Sequence, residues 1–191
     1  MAINDVRQKQ AKILRIFRKI HRWTGIGLFA FFFIVGLTGL LLGWKKNSGG
    51  ILLAKSYKGI SAEPKDWLSL DSLHANARKI FRDSISAALP MDLDRIDVRQ
   101  DKGMVKFVFI RGFWGIQLDC TTGKLLNIER RRSDFIEKIH DGSILDYYFD
   151  TAQGQIKLVY TSIMGLALLI FTITGFWLWY GPRRMKTKAI T

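Results

Sequence analysis

Charge is missing from two long stretches of this chain. Trp23 to Trp44 and Leu158 to Gly181 contain no Asp, Glu, Lys or Arg. A helix of about 20 apolar residues crosses the hydrocarbon core of a bilayer, so both runs are expected to span a membrane. The absence of charge inside them also disfavours a proton or ion path through one chain. Cysteine is almost absent: Cys120 stands alone, which rules out an intrachain disulfide and leaves a small buried hydrophobe as the expected role. The chain has no GxSxG, HExxH, CxxC, P-loop or dinucleotide fingerprint. No catalytic residue is therefore named, and the chain is expected not to be an enzyme.

What charge there is sits outside the runs. Seven Lys/Arg and one acid, Asp5, fall in residues 1–22, and four Lys/Arg with no acid fall in 182–191. These flanks hold ten of the net +14, and residues 45–157 are close to balanced. The net charge therefore reads as a topology and lipid signal, with no nucleic-acid partner expected. Short cationic flanks stay on the cytoplasmic side, which predicts both termini inside and residues 45–157 outside. Lys45 and Lys46 oppose this and are outnumbered. The first run is longer than the 7–15 apolar residues of a signal peptide, so it is read as an uncleaved anchor.

The expected organisation has five parts. A basic amphipathic helix covers 1–22, with Ile13, Leu14, Phe17 and Ile20 at helical spacing. The first span is 23–44, closed by Trp23 and Trp44 as interfacial aromatics. A small extracytoplasmic α+β domain fills 45–157, ending in a pre-membrane helix at 133–141. The second span is 158–181, stopped by Pro182, and a basic tail covers 182–191. Gly36, Gly39, Gly43, Gly165 and Gly175 lie at interface spacing and predict close packing of the spans on each other, on a homodimer partner, or on another membrane protein.

Within the middle domain, a short strand is expected at 51–56 and a helix at 72–82 capped by Asp71. Strands are expected at 93–99, 104–110, 113–118 and 124–129. The last two flank Asp119-Cys120-Thr121-Thr122-Gly123, a tight turn. Arg130-Arg131-Arg132 reads as a solvated turn over lipid headgroups, and His74 as a partly exposed surface residue. Asp92, Asp94, Asp97 and Asp101 are clustered, but strand alternation splits them between two faces, so no metal site is expected.

Four segments carry a resemblance: Phe17-Arg18-Lys19-Ile20-His21-Arg22-Trp23-Thr24-Gly25, Thr38-Gly39-Leu40, Ile139-His140-Asp141-Gly142-Ser143 and Thr174-Gly175-Phe176-Trp177-Leu178-Trp179. Together they resemble the PepSY-associated transmembrane-helix proteins, and the hairpin Gly115–Arg130 resembles the PepSY module itself. The resemblance implies a bacterial inner-membrane protein with a periplasmic PepSY-like domain. It implies an accessory or interaction role in an envelope complex, such as iron-uptake or TonB-linked machinery. It also points to two other roles. One is a haem-b-binding electron-transfer component, since longer four-helix relatives reduce iron–siderophore complexes; the other is control of an envelope protease.

His21 and His140 are the candidate haem ligands, each preceded by a Lys-Ile pair and each ahead of a span. Axial imidazoles on one haem must lie at one depth. His21 is expected at one mouth of the first span and His140 beyond the other, about 30 Å away. One haem cannot join them within one copy, so a second copy or a partner would supply the other imidazole.

Overall fold

The computed structural model describes residues 2–151 and 154–187. Residues 188–191 of the expected basic tail lie outside the described residues, as do the side chains of Arg7 and Lys186. The chain divides into two units, one built from residues 1–39 and 138–191, the other from 40–137.

The first unit is built on two long helices. Helix α1 runs Ala2–Trp44, so the basic amphipathic segment and the first apolar run form one continuous rod. A further long helix, named α5 below, runs Gln155–Thr187. Both are long and apolar enough to cross a membrane. Their side chains do not behave as the core of a soluble protein: Phe29 is 70 % exposed and Leu158 68 % exposed. Apolar surface of that size requires a lipid or protein neighbour.

The second helix does not stop at Pro182 as expected. Proline lacks a backbone N–H and costs one ladder bond, yet the helix continues for five more residues. Gly181, just before it, is buried, and a β-carbon there would lie 2.7 Å from Leu14 Cδ2. That contact with α1 holds the turn in place.

The second unit is a four-stranded antiparallel meander with one helix on a face. Helix α2 covers Leu70–Ser84. The strands are β1 (Leu93–Arg99), β2 (Met104–Phe109), β3 (Trp114–Asp119) and β4 (Leu125–Arg130), in the order β1-β2-β3-β4. Alternation puts Val105, Phe107, Phe109, Ile116 and Leu118 on the face that meets Leu73, Ala77 and Phe81 of α2. Phe81 and Phe109 stack tilted with centroids 4.5 Å apart. Burying each such side chain is worth about 1.5–3 kcal/mol. The β3–β4 turn closes at Gly123 with φ +68°, the left-handed region the turn requires.

Three local expectations change. The cap of α2 is Ser69, whose hydroxyl accepts from Ser72 N, and Asp71 sits in the first turn instead. Residues 51–56 form no strand. They belong to an extended strap bound to the sheet by side chains: Gln117 Nε2 donates to Lys55 O (2.9 Å), Tyr57 N donates to Gln117 Oε1 (3.1 Å) and Ile60 N donates to Asp119 Oδ1 (3.2 Å). With α2 on one face and the strap on the other, every residue of β2 is buried, including Lys106. Arg130-Arg131-Arg132 is not a solvated run. Arg131 is buried on a bidentate pair with Asp134, and Arg130 lies 4.9 Å over the Trp114 ring.

Helix α3 follows at Arg132–His140, and Gly142 stops it with φ +79°. A short helix that the sequence pattern did not reveal, α4, covers Ser143–Phe149 before α5. Asp146 joins the two: its carboxylate accepts from Ile156 N (3.0 Å) and Lys157 N (2.8 Å) in the first turn of α5, and from the Thr151 hydroxyl.

Candidate functional site: two crossed imidazole seats

Both candidate ligands fall in the first unit, and each is held by the other half of the chain. His21, on α1, meets Thr174 on α5, with Nδ1 to Oγ1 at 3.0 Å. His140, at the end of α3, meets Thr38 on α1, with Nδ1 to Oγ1 at 2.9 Å. The residue after each threonine is glycine, and the imidazole packs on it. A β-carbon on Gly175 would lie 3.3 Å from His21 Cε1, and one on Gly39 would lie 3.3 Å from His140 Cε1. The seats are two copies of one arrangement with the halves exchanged.

The proton count fixes the ring form. Thr174 Oγ1 donates its only proton to Ile170 O at 2.7 Å, and Thr38 Oγ1 donates to Ile34 O at 2.6 Å. Such back-bonding one turn up a helix is the usual way a buried threonine satisfies its proton. Each hydroxyl is left with lone pairs, so the imidazole is the donor at Nδ1. In the neutral ring, Nε2 then carries the lone pair. A hydrogen bond at one ring nitrogen that turns the other into a ligand is the arrangement seen around protein-bound metals.

The two seats lie at different levels. Thr38 follows His21 by 17 positions on one helix, or about 26 Å at 1.5 Å per residue. His140 therefore does not lie beyond the first span, as expected from sequence; it folds back onto Gly39, inside the apolar run. Its distance from His21 still precludes one shared group.

Between α1 and α5 runs an apolar cavity of about 1120 Å³, bordered by Gly25, Phe29, Phe32, Gly36, Gly165 and Phe171 with His140 and Asp141 among its lining. Phe171 also stacks on His21, centroids 3.9 Å apart. Among the five interface glycines, Gly39 and Gly175 are occupied by the imidazoles, whereas Gly36, Gly43 and Gly165 face open space. Next to His140, Asp141 pairs with Lys157 at 2.5 Å and accepts from Ser143. Burial pushes that carboxyl up, but the Lys157 and Ser143 contacts outweigh it and hold it below the usual range.

The remaining candidates are accounted for in the second unit. His74 is half-buried and stacks on Phe107 at 5.6 Å, with Nε2 buried and without a hydrogen-bond partner. Asp94 and Asp97 pair with Arg95. No group of three or more His, Cys, Asp or Glu suited to a metal ion occurs among the described residues. Cys120 is buried, and burial together with Asp119 pushes its thiol up to about 11.

The sequence reading isolated both histidines and missed the threonines that seat them. The signal was present as two Lys-Ile-His triplets and two of the four Thr-Gly pairs; nothing in their spacing showed that they pair crosswise.

Two apolar helices around a small α+β domain define a membrane protein. The match to a known family is direct: the model of the PepSY-associated TM region covers residues 18–191, and the chain belongs to that family. No curated protein and no solved structure matches it significantly.

Proposed function

We propose that this protein is a membrane electron-transfer component in which His21 and His140 hold haem b at two levels. The observation that carries the reading is the proton count at the seats. In the neutral ring, each imidazole is fixed through Nδ1 by a threonine with no proton left to give, so Nε2 is the ligand atom. The donor set fits haem, which is held by imidazole nitrogen in many proteins. When bound, haem b supplies one-electron redox chemistry. The chain's own groups orient the rings, and the phenylalanine-lined cavity offers them an apolar surrounding. One chain offers one imidazole at each level, so the second axial ligand comes from a second copy or from a membrane partner. The open glycines Gly36 and Gly165 fit that contact.

The placement that goes with this reading is the bacterial inner membrane, both termini cytoplasmic and the middle domain periplasmic. Ferric substrates of iron uptake are the acceptors proposed. The test is an absorption spectrum, oxidised and dithionite-reduced, of protein purified in mild detergent from cells supplied with haem precursor. A Soret band with sharp reduced α and β bands, diminished in His21→Ala and in His140→Ala, is expected. A colourless protein overturns the reading.

A second reading is a non-catalytic accessory protein that presents its PepSY domain to an envelope complex, TonB-linked or protease-controlling. It is favoured by the edge strands β1 and β4, which carry exposed Val98 and Leu125 and offer backbone for strand addition. A pull-down from native membranes that returns this protein alone argues against it.

A further inference from the structure

The second unit contains a polar cavity that the imidazole seats do not involve. It has a volume of about 110 Å³ and lies under the strap residues Leu53, Ala54 and Ser56, against the face of the sheet opposite α2. Its charged lining is Asp97, Arg99, Lys106 and Arg131, three cations to one carboxylate. Lys106 and Arg131 are both more than nine-tenths buried.

The hydrogen-bond inventory leaves donors over. Lys106 Nζ has one acceptor, Glu129 Oε1 at 2.7 Å, out of the three an ammonium group can use. Glu129 Oε2 is taken by Gln117 Nε2 at 2.6 Å. Arg131 commits Nε and Nη2 to Asp134, at 2.6 and 2.9 Å. Its Nη1 stands 3.7 Å from Asp97 and 4.0 Å from Glu129, both beyond hydrogen-bond range. The Arg99 side chain has no partner among the described residues. Asp97, the one carboxylate in the lining, also faces Arg95 at 3.4 Å.

Lys106 and Arg131 each keep donor capacity beyond their pairs with Glu129 and Asp134. Spare donors on three cations around a polar cavity suit an anion with several oxygens. Guanidinium and ammonium groups bind such oxyanions through charge-assisted bonds. The space, about four water-sized groups at roughly 30 Å³ each, suits a small tetrahedral oxyanion.

We propose that this cavity is a binding site for a phosphate group, held by Arg99, Lys106 and Arg131 beneath the strap. The group is either free inorganic phosphate or the headgroup of an anionic lipid. The site is independent of haem binding.

The test uses the full chain in nanodiscs. In phosphatidylcholine discs, inorganic phosphate replaces chloride at constant ionic strength, and thermal unfolding is followed. The expected result is a saturable rise in Tm that Arg99→Gln weakens by about tenfold in phosphate concentration. Arg99 is exposed, so that variant keeps the fold. In phosphatidylglycerol discs, a lipid-filled site gives a Tm already raised over that of Arg99→Gln and no further response to phosphate. A site that takes only free phosphate responds equally in both discs. The absence of a saturable response in phosphatidylcholine discs, or an unchanged response in Arg99→Gln, overturns the proposal.

Discussion

His140 Nδ1 meets Thr38 Oγ1 at 2.9 Å across 102 positions of sequence. Because the Thr38 proton goes to Ile34 O, the imidazole is the donor. Thr38→Val removes the acceptor and leaves a buried N–H; Thr38→Ser keeps it. The expected loss of stability for valine is about 0.6–1.7 kcal/mol, the range measured for bonds between membrane helices. If the ring is a haem ligand, valine also lowers haem retention by about 10–100-fold, as removal of a metal ligand's hydrogen-bond partner does. Unfolding curves and the Soret absorbance of the same preparations separate the two effects. Serine is expected to restore both.

The glycines divide into two groups that substitution should tell apart. A side chain on Gly175 displaces His21, whereas a β-carbon on Gly36 has no atom within 4 Å. Gly175→Leu is therefore expected to disturb the fold of the helix pair. Gly36→Leu is expected to leave it intact and to abolish self-association. Crosslinking and size-exclusion chromatography in mild detergent read the difference.

Acid sensitivity in the second unit should centre on Asp134. Burial raises its carboxyl, but hydrogen bonds and charge from Arg131 and Arg95 outweigh this and hold it below the ordinary value. A carboxyl lowered in the folded state contributes stability that is complete above the unfolded value, about 3.9. That contribution is lost as pH falls through the lower folded value. Asp134→Asn should flatten this part of the pH profile. It should also destabilise the domain by about 3–5 kcal/mol, because Arg131 is left buried without its partner. Chemical denaturation of the full chain between pH 7 and pH 3 checks both.

Cys120 should resist alkylation in the folded protein. Its thiol is buried and pushed up to about 11, so the thiolate that reacts is scarce at pH 8. Labelling with iodoacetamide, followed by mass spectrometry, should be slow until denaturant is added. Rapid labelling of native protein would contradict the packing described for β3 and its turn.

Much of the fold was legible because it rests on local periodicity. The uncharged runs gave both membrane helices, and the strand expected at 104–110 is β2, Met104–Phe109. Legibility ended where long-range contacts decide. Residues 51–56 have the composition of a strand, but the strap they open is bound by the Gln117 side chain at Lys55 and by Asp119 further on at Ile60, so no ladder forms. Arg131 looked solvated within an arginine run until Asp134, one helical turn on, drew it inward. Pro182 looked like a stop until the contact between Gly181 and Leu14 was seen. At the seats, the histidines were visible as unusual residues, but a threonine in an apolar run carries no mark of the ring that will rest on it.

The exchanged seats also set an order of assembly. As the chain leaves the ribosome, α1 is made with His21 still lacking its threonine and Thr38 still lacking its ring. Thr38 acquires its ring once residue 140 has been made, and His21 must wait for Thr174. A nascent chain that stops before that point carries the His21 imidazole without its acceptor. The second span thus closes a contact that the first one opened.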